Sequence, residues 1–393
     1  MDWDVRPIAD YELSDFYSIA GESLLFPDPQ VWESYVQRVE LKNLRGVYRQ
    51  DRLYGGLAIY RAGQWFGGKC VPMAAVSAVA IDPAVRGSGA CGQLLDSLLQ
   101  EMFKERMPLA TLYASTQRLY RSRGFEQSGE RFRFSLPMSC LTSKNESRIL
   151  SATRFSEAPY ERLKPLAEFR GRNSNGNLLR TQGLWERISH PFGEPTVTYL
   201  LGDFEQPEGY VVLQQGTRAG GYPAVLTMID YATITPIALQ RLLVLLEDHR
   251  SMCDRVVWTG GSQDPILLVA GEQRITTLEY LRLLSRIVCF ESAIAARGYP
   301  QVNAEIHLAI SDPLIRENEG SWIVRVENGI ARAERGGSGA LRMSIGAVAT
   351  LYSGFTNCTQ LVDAGLVECS DHRQRHLADL IFSGPRPWMP EIF

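Results

Sequence analysis

The stretch from Val76 to Met102, VSAVAIDPAVRGSGACGQLLDSLLQEM, constrains the fold more than any other part of the chain. A run of apolar and small residues stops at Asp82-Pro83, and the glycine-rich turn Arg86-Gly87-Ser88-Gly89 follows. Leu94, Leu95, Leu98, Leu99, Met102 and Phe103 then recur at the spacing of a helix with one apolar face. Strand, glycine turn and helix N-terminus in this order form an anion site. The glycines leave backbone N–H groups unobstructed, and the helix dipole favours negative charge there. The ligand that suits such a loop is the pyrophosphate of a nucleotide-like cofactor.

Two loops of this kind are excluded by composition. A P-loop requires Gly-Lys-Ser/Thr at the helix start, and here the run is Gly89-Ala90-Cys91. Gly87 to Gly92 fits the spacing G-x-G-x-x-G, but no acidic residue closes the following strand, LATLYAS, as a dinucleotide site needs. What remains is Arg-x-x-Gly-x-small after V-x-I-x-P. It resembles the acyl-CoA loop of GNAT-type N-acetyltransferases, with Cys91 where Gly or Ala is usual. A second segment matches the same family. Leu109 to Ser115 reads as a buried strand, and Arg118-Leu119-Tyr120-Arg121-Ser122-Arg123-Gly124-Phe125 resembles the GNAT element Y-x-x-x-G-F beside the cofactor. This resemblance implies that pantetheine pairs with the backbone of Val79, Ala80 and Ile81. It places the pyrophosphate on Arg86, Gly87, Ser88, Gly89, Ala90, Cys91 and Gly92, with Ser115 and Thr116 in the same groove. The phenol of Tyr120 is then expected near the thioester sulfur, where a packed aromatic is the alternative.

The 393 residues suffice for two or three domains, and 45% hydrophobic with 22% charged residues is ordinary for a globular chain. A net charge of −3 gives no sign of nucleic-acid affinity. The local cluster Arg118, Arg121, Arg123, Arg131 and Arg133 suits either CoA phosphates or a solvated surface. The start, MDWDVRPIAD, lacks a basic-then-apolar signal, and no apolar run approaches the ~20 residues that span a bilayer. Seven cysteines without a C-x-x-C favour reduced thiols, and with them a cytoplasmic protein that holds no metal. His372 and His376 stand four apart on an expected helix, unframed by HExxH, and read as a solvated face.

The expected fold class is α+β, in three regions. Residues 1–143 hold the motifs above. Helical Leu13 to Val39, interrupted at Phe26-Pro27-Asp28-Pro29, precedes strands at Gly46 to Tyr60 and Cys70 to Ile81. These flank a turn around Gly63 and Gly67-Gly68, and Arg131 to Met138 closes the region. Thr142 to Ser147 is a polar linker. In 144–289, strands at Gly209 to Leu213 and Ala224 to Asp230, a helix from Thr235 to Arg250 and a strand at Arg255 to Thr259 repeat the first region's latter half, without its glycine-rich arginine loop. This region reads as a second, degenerate GNAT-like domain. In 290–393, the alternating residues Val302 to Ile310, Trp322 to Val326 and Leu341 to Ile345 predict an antiparallel sheet with one dry face. The run LYSGFTNCTQLVDAGLVE resembles the sterol-carrier-protein-like fold. The end, Trp388-Met389-Pro390-Glu391-Ile392-Phe393, is too apolar for a frayed terminus and predicts a docked tail.

Together these features resemble the enhanced-intracellular-survival (Eis) acetyltransferase family across all three regions. The resemblance implies a hexamer that uses acetyl-CoA to acetylate amines, including those of aminoglycosides. It also implies a general acid at Tyr120 and a general base at the carboxylate of Phe393. The chemistry is coherent: an amine must lose a proton to attack a thioester, and the departing thiolate needs one. No histidine lies in the first region, whereas Glu22, Asp28 and Glu33 are placed to attract a cationic substrate. Acceptors consistent with this are aminoglycosides, polyamines and lysine side chains, with neither nucleic acid nor membrane as partner. A non-catalytic acyl-CoA sensor and a lipid carrier working through the last domain remain as alternatives.

Overall fold

The computed structural model describes residues 3–24, 29–141, 148–191, 195–216 and 224–393. Asp28 and the polar stretch 142–147 lie outside the described residues. The chain forms two compact units. One comprises Met1–Gly129, Arg282–Pro385 and Glu391–Phe393, and the other Glu130–Leu281 and Arg386–Pro390.

The first unit opens with β1 (Asp4–Pro7), α1 (Leu13–Leu24), α2 (Pro29–Val39), β2 (Leu44–Arg49), β3 (Arg52–Phe66) and β4 (Lys69–Ile81). Then come α3 (Ala90–Lys104), β5 (Leu109–Tyr113), α4 (Gln117–Arg121) and the start of β6 (Glu126–Pro137). Gln50 and Asp51, at φ 50° and 58°, form a two-residue turn whose twist matches a hairpin, so the single strand expected from Gly46 to Tyr60 is two. Gly67 and Gly68, at φ 57° and 78°, turn β3 into β4, whereas Gly63 lies inside β3 opposite Pro72. The apolar stripe of α3 is buried against Val47, Leu57, Ile59, Ala74 and Val76. Each of its leucines contributes on the order of 1.5–3 kcal/mol of transfer free energy.

The second unit takes up the rest of β6, then β7 (Ala152–Phe155), α5 (Tyr160–Arg172), β8 (Leu178–Leu179), α6 (Gln182–Ser189), β9 (Val197–Gly202), β10 (Pro207–Gln215) and β11 (Ala224–Thr233). It continues through α7 (Pro236–Glu247), β12 (Cys253–Gly260), α8 (Pro265–Val269) and the first half of β13 (Thr276–Ile287). Its strands run in the order β6-β12-β11-β10-β9-β7, and only β11–β12 is parallel. Residues 386–390 are fastened to this unit. Trp388 N–H donates to the Asn175 carbonyl at 2.9 Å, and Asn177 Nδ2 donates to the Trp388 carbonyl at 2.9 Å. Glu130 N–H donates to the Pro387 carbonyl at 3.0 Å, and Arg386 Nε meets the buried Glu130 carboxylate at 2.9 Å. The expected docking of the tail is met unevenly along it: Met389 is buried, Trp388 half-buried and Ile392 exposed.

From Arg282 the chain is back in the first unit. There β13 pairs with β5, completing the order β1-β2-β3-β4-β5-β13 with β4–β5 parallel. Next come α9 (Phe290–Ala296), β14 (Ala304–Ser311), β15 (Gly320–Glu327), β16 (Ile330–Arg335), β17 (Leu341–Ser344), α10 (Ile345–Ser353), α11 (Cys358–Asp363), β18 (Val367–Cys369) and α12 (His372–Ile381). The sheet here has five strands in the order β16-β15-β14-β17-β18. It is mixed rather than antiparallel, because β14 pairs with β17 in parallel. Ile345 starts a helix instead of ending the third strand, since Ser344 caps α10 by accepting from Ala347 N–H at 3.2 Å. The dry face is as expected, with Ile306, Leu308, Ile310, Trp322, Val324, Val326, Leu341 and Met343 buried. Gly67 and Gly298 meet backbone to backbone: a Cβ on Gly67 would stand 2.1 Å from the Gly298 carbonyl oxygen, and one on Gly298 would stand 2.0 Å from that of Gly67.

Candidate active site

The parallel ladder between β4 and β5 covers only Met73–Ala75 against Leu109–Thr111. Past that point the edge of β4 away from β3, through Val79, Ala80 and Ile81, has no strand beside it among the described residues, leaving main-chain groups for an extended ligand to pair with. A bulge sits at the same place. Ser77 opposes Ala58 while Ala80 opposes Gly56, and Ala78 takes φ 48°. A residue with a Cβ adopts that region at a cost of about 1–2 kcal/mol, so the bend is imposed by its surroundings.

The loop that follows is braced from within. Asp82 accepts from Ala84 N–H at 2.9 Å, and Ser88 Oγ donates to the Val85 carbonyl at 2.6 Å. Arg86 folds back, its Nε donating to the Ile81 carbonyl at 3.3 Å and its Nη2 to Ser23 Oγ at 3.1 Å. Arg86 therefore shapes the loop. Gly87 and Gly89 take φ 80° and 91°, and nothing lies within 4 Å of a Cβ added to either, so conformation and not space demands glycine there. Gly89 is the N-cap of α3 and offers no side-chain cap. Among the described residues the N–H groups of Ala90, Cys91 and Gly92 meet no acceptor, the state in which a helix start holds an anion. At Gly92 a Cβ would come 2.3 Å from Nη2 of Arg123, so a side chain there would displace the end of that arginine, whose Nε is 3.1 Å from the Asp96 carboxylate.

Tyr120 lies on α4, is 5% exposed, and packs edge-on against Phe125 at 5.9 Å. Its hydroxyl makes no hydrogen bond among the described residues. Burial, with the Cys91 side chain as a second cause, pushes the phenol above its ordinary value of 10.0. Burial also pushes the Cys91 thiol up to about 11, partly offset by Arg123. Tyr120 thus stands beside the first turn of α3 as a buried, protonated, unengaged donor. Ser115 and Thr116 are exposed between β5 and α4. Of the basic cluster, Arg121 pairs with Glu126, Arg123 with Asp96 and Arg131 with Glu279, so most of its charge is answered locally.

The ring of Phe393 lies 6.0 Å from that of Tyr113, the last residue of β5. Glu22 on α1 and Glu33 on α2 are exposed. The sequence reading missed what stands between those helices and the sheet. Tyr35 and Ser77 share a hydrogen bond of 2.5 Å beside the β4 bulge. Trp32 stacks on Tyr35 at 5.5 Å and meets Phe16 at 5.3 Å and Tyr17 at 5.7 Å. The only advance signal was the aromatic content of the two helices.

Comparison with known proteins places this geometry. Residues 4–128 and 176–287 each match a family described as Acetyltransferase (GNAT) domain, and residues 290–390 match Sterol carrier protein domain. A GCN5-related N-acetyltransferase from Anabaena variabilis is 32% identical, with all of both chains covered and a TM-score of 0.93. The chain belongs to the GCN5-related N-acetyltransferase family. A GCN5-related N-acetyltransferase from Kribbella flavida (24% identity, 100% of this chain and 98% of that one, TM-score 0.88) shares the fold. So does Eis1 from Mycobacterium abscessus (19% identity, 100% of both chains, TM-score 0.83). The search of curated proteins gave no match. The protein is thus an N-acetyltransferase with tandem GNAT domains and a sterol-carrier-like domain, as its motifs led one to expect.

The two GNAT domains differ where the acyl-CoA loop belongs. At the start of α7 the N-cap is Thr235, whose Oγ accepts from Ala238 N–H at 3.1 Å and donates to the Glu208 carboxylate at 2.6 Å. Pro236 follows and has no N–H. A self-capped helix start with a carboxylate beside it repels an anion, whereas α3 presents open amides. His372 and His376 lie exposed on α12. Among the described residues no group of three or more His, Cys, Asp or Glu is placed to hold a metal ion, and no helix is long and apolar enough to cross a membrane.

Proposed function

We propose that this GCN5-related N-acetyltransferase transfers acetyl from acetyl-CoA to a primary amine directly, in its first domain only. The amine class is that of aminoglycosides, polyamines or lysine side chains. The three modules are 1–143, 144–289 and 290–393. One observation carries this reading: the open N-terminal amides of α3 stand beside a buried tyrosine whose hydroxyl makes no hydrogen bond among the described residues. Pantetheine pairs with the edge of β4 at Val79 to Ile81, and the pyrophosphate sits on Gly87 to Gly92, with Ser115 and Thr116 lining the groove. The amine nitrogen attacks the thioester carbon, the C–S bond breaks, and the amine proton passes to the α-carboxylate of Phe393. That carboxylate is an intrinsically weak base, with a reference pKa of about 3.3–3.7, and desolvation or a bridging water strengthens it. Tyr120 serves the departing sulfur. With its pKa raised by burial the phenol is fully protonated at neutral pH, so it stabilises charge on sulfur by hydrogen bonding and completes the transfer as the thiol forms. Glu22 and Glu33, with Asp28, attract the cationic acceptor, and the protein works as a cytoplasmic homo-oligomer, a hexamer measurable by sedimentation.

Transfer is tested with a panel of polyamines, aminoglycosides and lysine peptides. A sensor would bind CoA and acetylate none, and a carrier would co-purify with lipid. Tyr120→Phe should lower kcat by roughly 10²-fold or more with CoA affinity nearly intact, and wild-type turnover would leave Tyr120 a packing residue. Deleting Phe393 and extending it by a few glycines should both remove most activity from a folded protein. A fully active extended protein with an unchanged pH profile would rule out the carboxylate as base.

A further inference from the structure

The segment that carries Tyr120 is held from beneath by a fully buried ion pair. Arg286, on β13, and Asp312, just after β14, are 0% exposed, and Nη2 of Arg286 reaches both carboxylate oxygens at 2.7 Å. Such a pair is weak support for stability as such, because well-packed apolar residues of similar volume often serve as well or better. The remaining donors of Arg286 show what the pair accomplishes. Its Nη1 donates to its neighbour's carbonyl at Ile287, and its Nε donates at 2.8 Å to the carbonyl of Arg123. Arg123 belongs to the turn that closes the Tyr120 helix. Within that turn Arg123 N–H and Phe125 N–H both donate to the Tyr120 carbonyl, at 2.9 and 3.2 Å. Gly124 takes φ 78° directly above the guanidinium, and a Cβ there would stand 2.8 Å from Arg286 Nε.

Asp312 is fixed in its turn. It accepts from Leu314 N–H at 3.2 Å, from Ile315 N–H at 3.1 Å and from Asn318 Nδ2 at 2.9 Å. The loop it anchors packs on the same core as the ring of Tyr120: Ile315 and Tyr120 share one apolar cluster with Phe125 and the buried face of α3, and Gln100 of α3 donates to the Leu314 carbonyl at 2.8 Å. An unbroken chain of bonds runs from the Asp312 loop through Arg286 and the Arg123 carbonyl to the backbone of Tyr120.

We infer that Arg286 and Asp312 are positioning residues for Tyr120, fixing the turn Arg123-Gly124 so that the phenol faces the first turn of α3. This rests on the proposed role of Tyr120, and it assigns to residues of the chain's C-terminal third a part in acetyl transfer. The guanidinium is suited to this because separate nitrogens of its rigid planar fork serve the carboxylate and the carbonyl, whereas an ammonium offers all its donors from a single point.

Two variants test it. Arg286→Lys keeps a cation beside Asp312 and gives up the bond to the Arg123 carbonyl; Arg286→Met with Asp312→Leu removes both charges together. Acetyl transfer is measured for kcat and KM, acetyl-CoA affinity by calorimetry and folding by circular dichroism, each also in a Tyr120→Phe background. The expected result is a kcat lowered tenfold or more in a folded protein, CoA affinity within about threefold of wild type, and less than a twofold further loss once Tyr120 is phenylalanine. Unchanged kcat in a folded variant overturns the proposal, as does a loss that multiplies that of Tyr120→Phe. Failure of Arg286→Lys to fold would assign the pair to the fold alone and overturn it equally. A Tyr120→Phe protein with wild-type turnover would refute the role of Tyr120 itself, and that single variant is read apart from the others.

Discussion

Gly89 offers a quantitative test of the α3 anion site. It takes φ 91° at the N-cap, and a Cβ added there meets nothing within 4 Å. Gly89→Ala therefore introduces no clash, and its cost is conformational alone. A residue with a Cβ pays about 1–2 kcal/mol in the left-handed region. If the loop must hold that conformation for its amides to converge on a pyrophosphate, this cost appears in the binding free energy. At about 1.4 kcal/mol per tenfold, CoA affinity measured by titration calorimetry should fall by roughly 5- to 30-fold. Asparagine tolerates the left-handed region far better, so Gly89→Asn should lose only a few-fold. The loop is exposed, so the midpoint of thermal unfolding should hardly move in either variant. Gly89→Glu adds a like charge beside the phosphates and should bind worst. An alanine variant that binds CoA as tightly as wild type would refute the reasoning, and an asparagine variant as poor as alanine would show that loop conformation is not what matters.

Three further outcomes are expected. The thiol of the half-buried Cys91, pushed from 9.0 to about 11, should react with iodoacetamide near pH 8 roughly 100-fold more slowly than the same peptide in denaturant, by mass spectrometry of that peptide; equal rates would refute the shift. Gly124→Ala meets Ile345 Cγ2 at 2.7 Å and Arg286 Nε at 2.8 Å at φ 78°, so strain and overpacking together should cost about 2–5 kcal/mol in urea unfolding. Asp264 is fully buried in the second unit, and burial pushes its carboxyl from 3.8 up to about 6. The folded state keeps a proton there that the unfolded chain releases near pH 4, so this group's contribution to stability falls as pH rises from about 4 to 6, by on the order of 2–3 kcal/mol. Asp264→Asn should flatten that slope in denaturation curves, and a slope unchanged in the variant would count against the shift.

The acyl-CoA loop and Tyr120 were legible because their signals are local. The stripe Leu94 to Met102, the glycines 87, 89 and 92 and the spacing of Tyr120 to Gly124 are all set within a few turns of chain. The Gln50-Asp51 turn escaped because it reaches the left-handed region without glycine. Alternation in β14 and β17 revealed which side chains are dry and said nothing about which strand lies beside which, so their parallel pairing was missed. The pair Tyr35–Ser77 and the grip of Arg286 on the Arg123 carbonyl join residues 42 and 163 positions apart, with no composition to mark them. The bulge at Ala78 is a property of the pairing of β4 with β3, and an alanine in sequence carries no sign of it.

The meeting of Gly67 with Gly298 has a consequence for how such a protein can vary. Most packed pairs drift by exchange, one side chain growing as its partner shrinks. Here both partners are already the smallest residue there is, and each faces the other's main chain, so a change at one has no compensating change at the other. The hairpin of the acetyltransferase domain and the stretch leading into the sterol-carrier-like sheet are thereby joined at a point that tolerates neither addition nor trade. A gene that separated the two modules would release both positions at once. By that reasoning glycine at both positions is expected where the modules keep this contact, and side chains at both where they have parted.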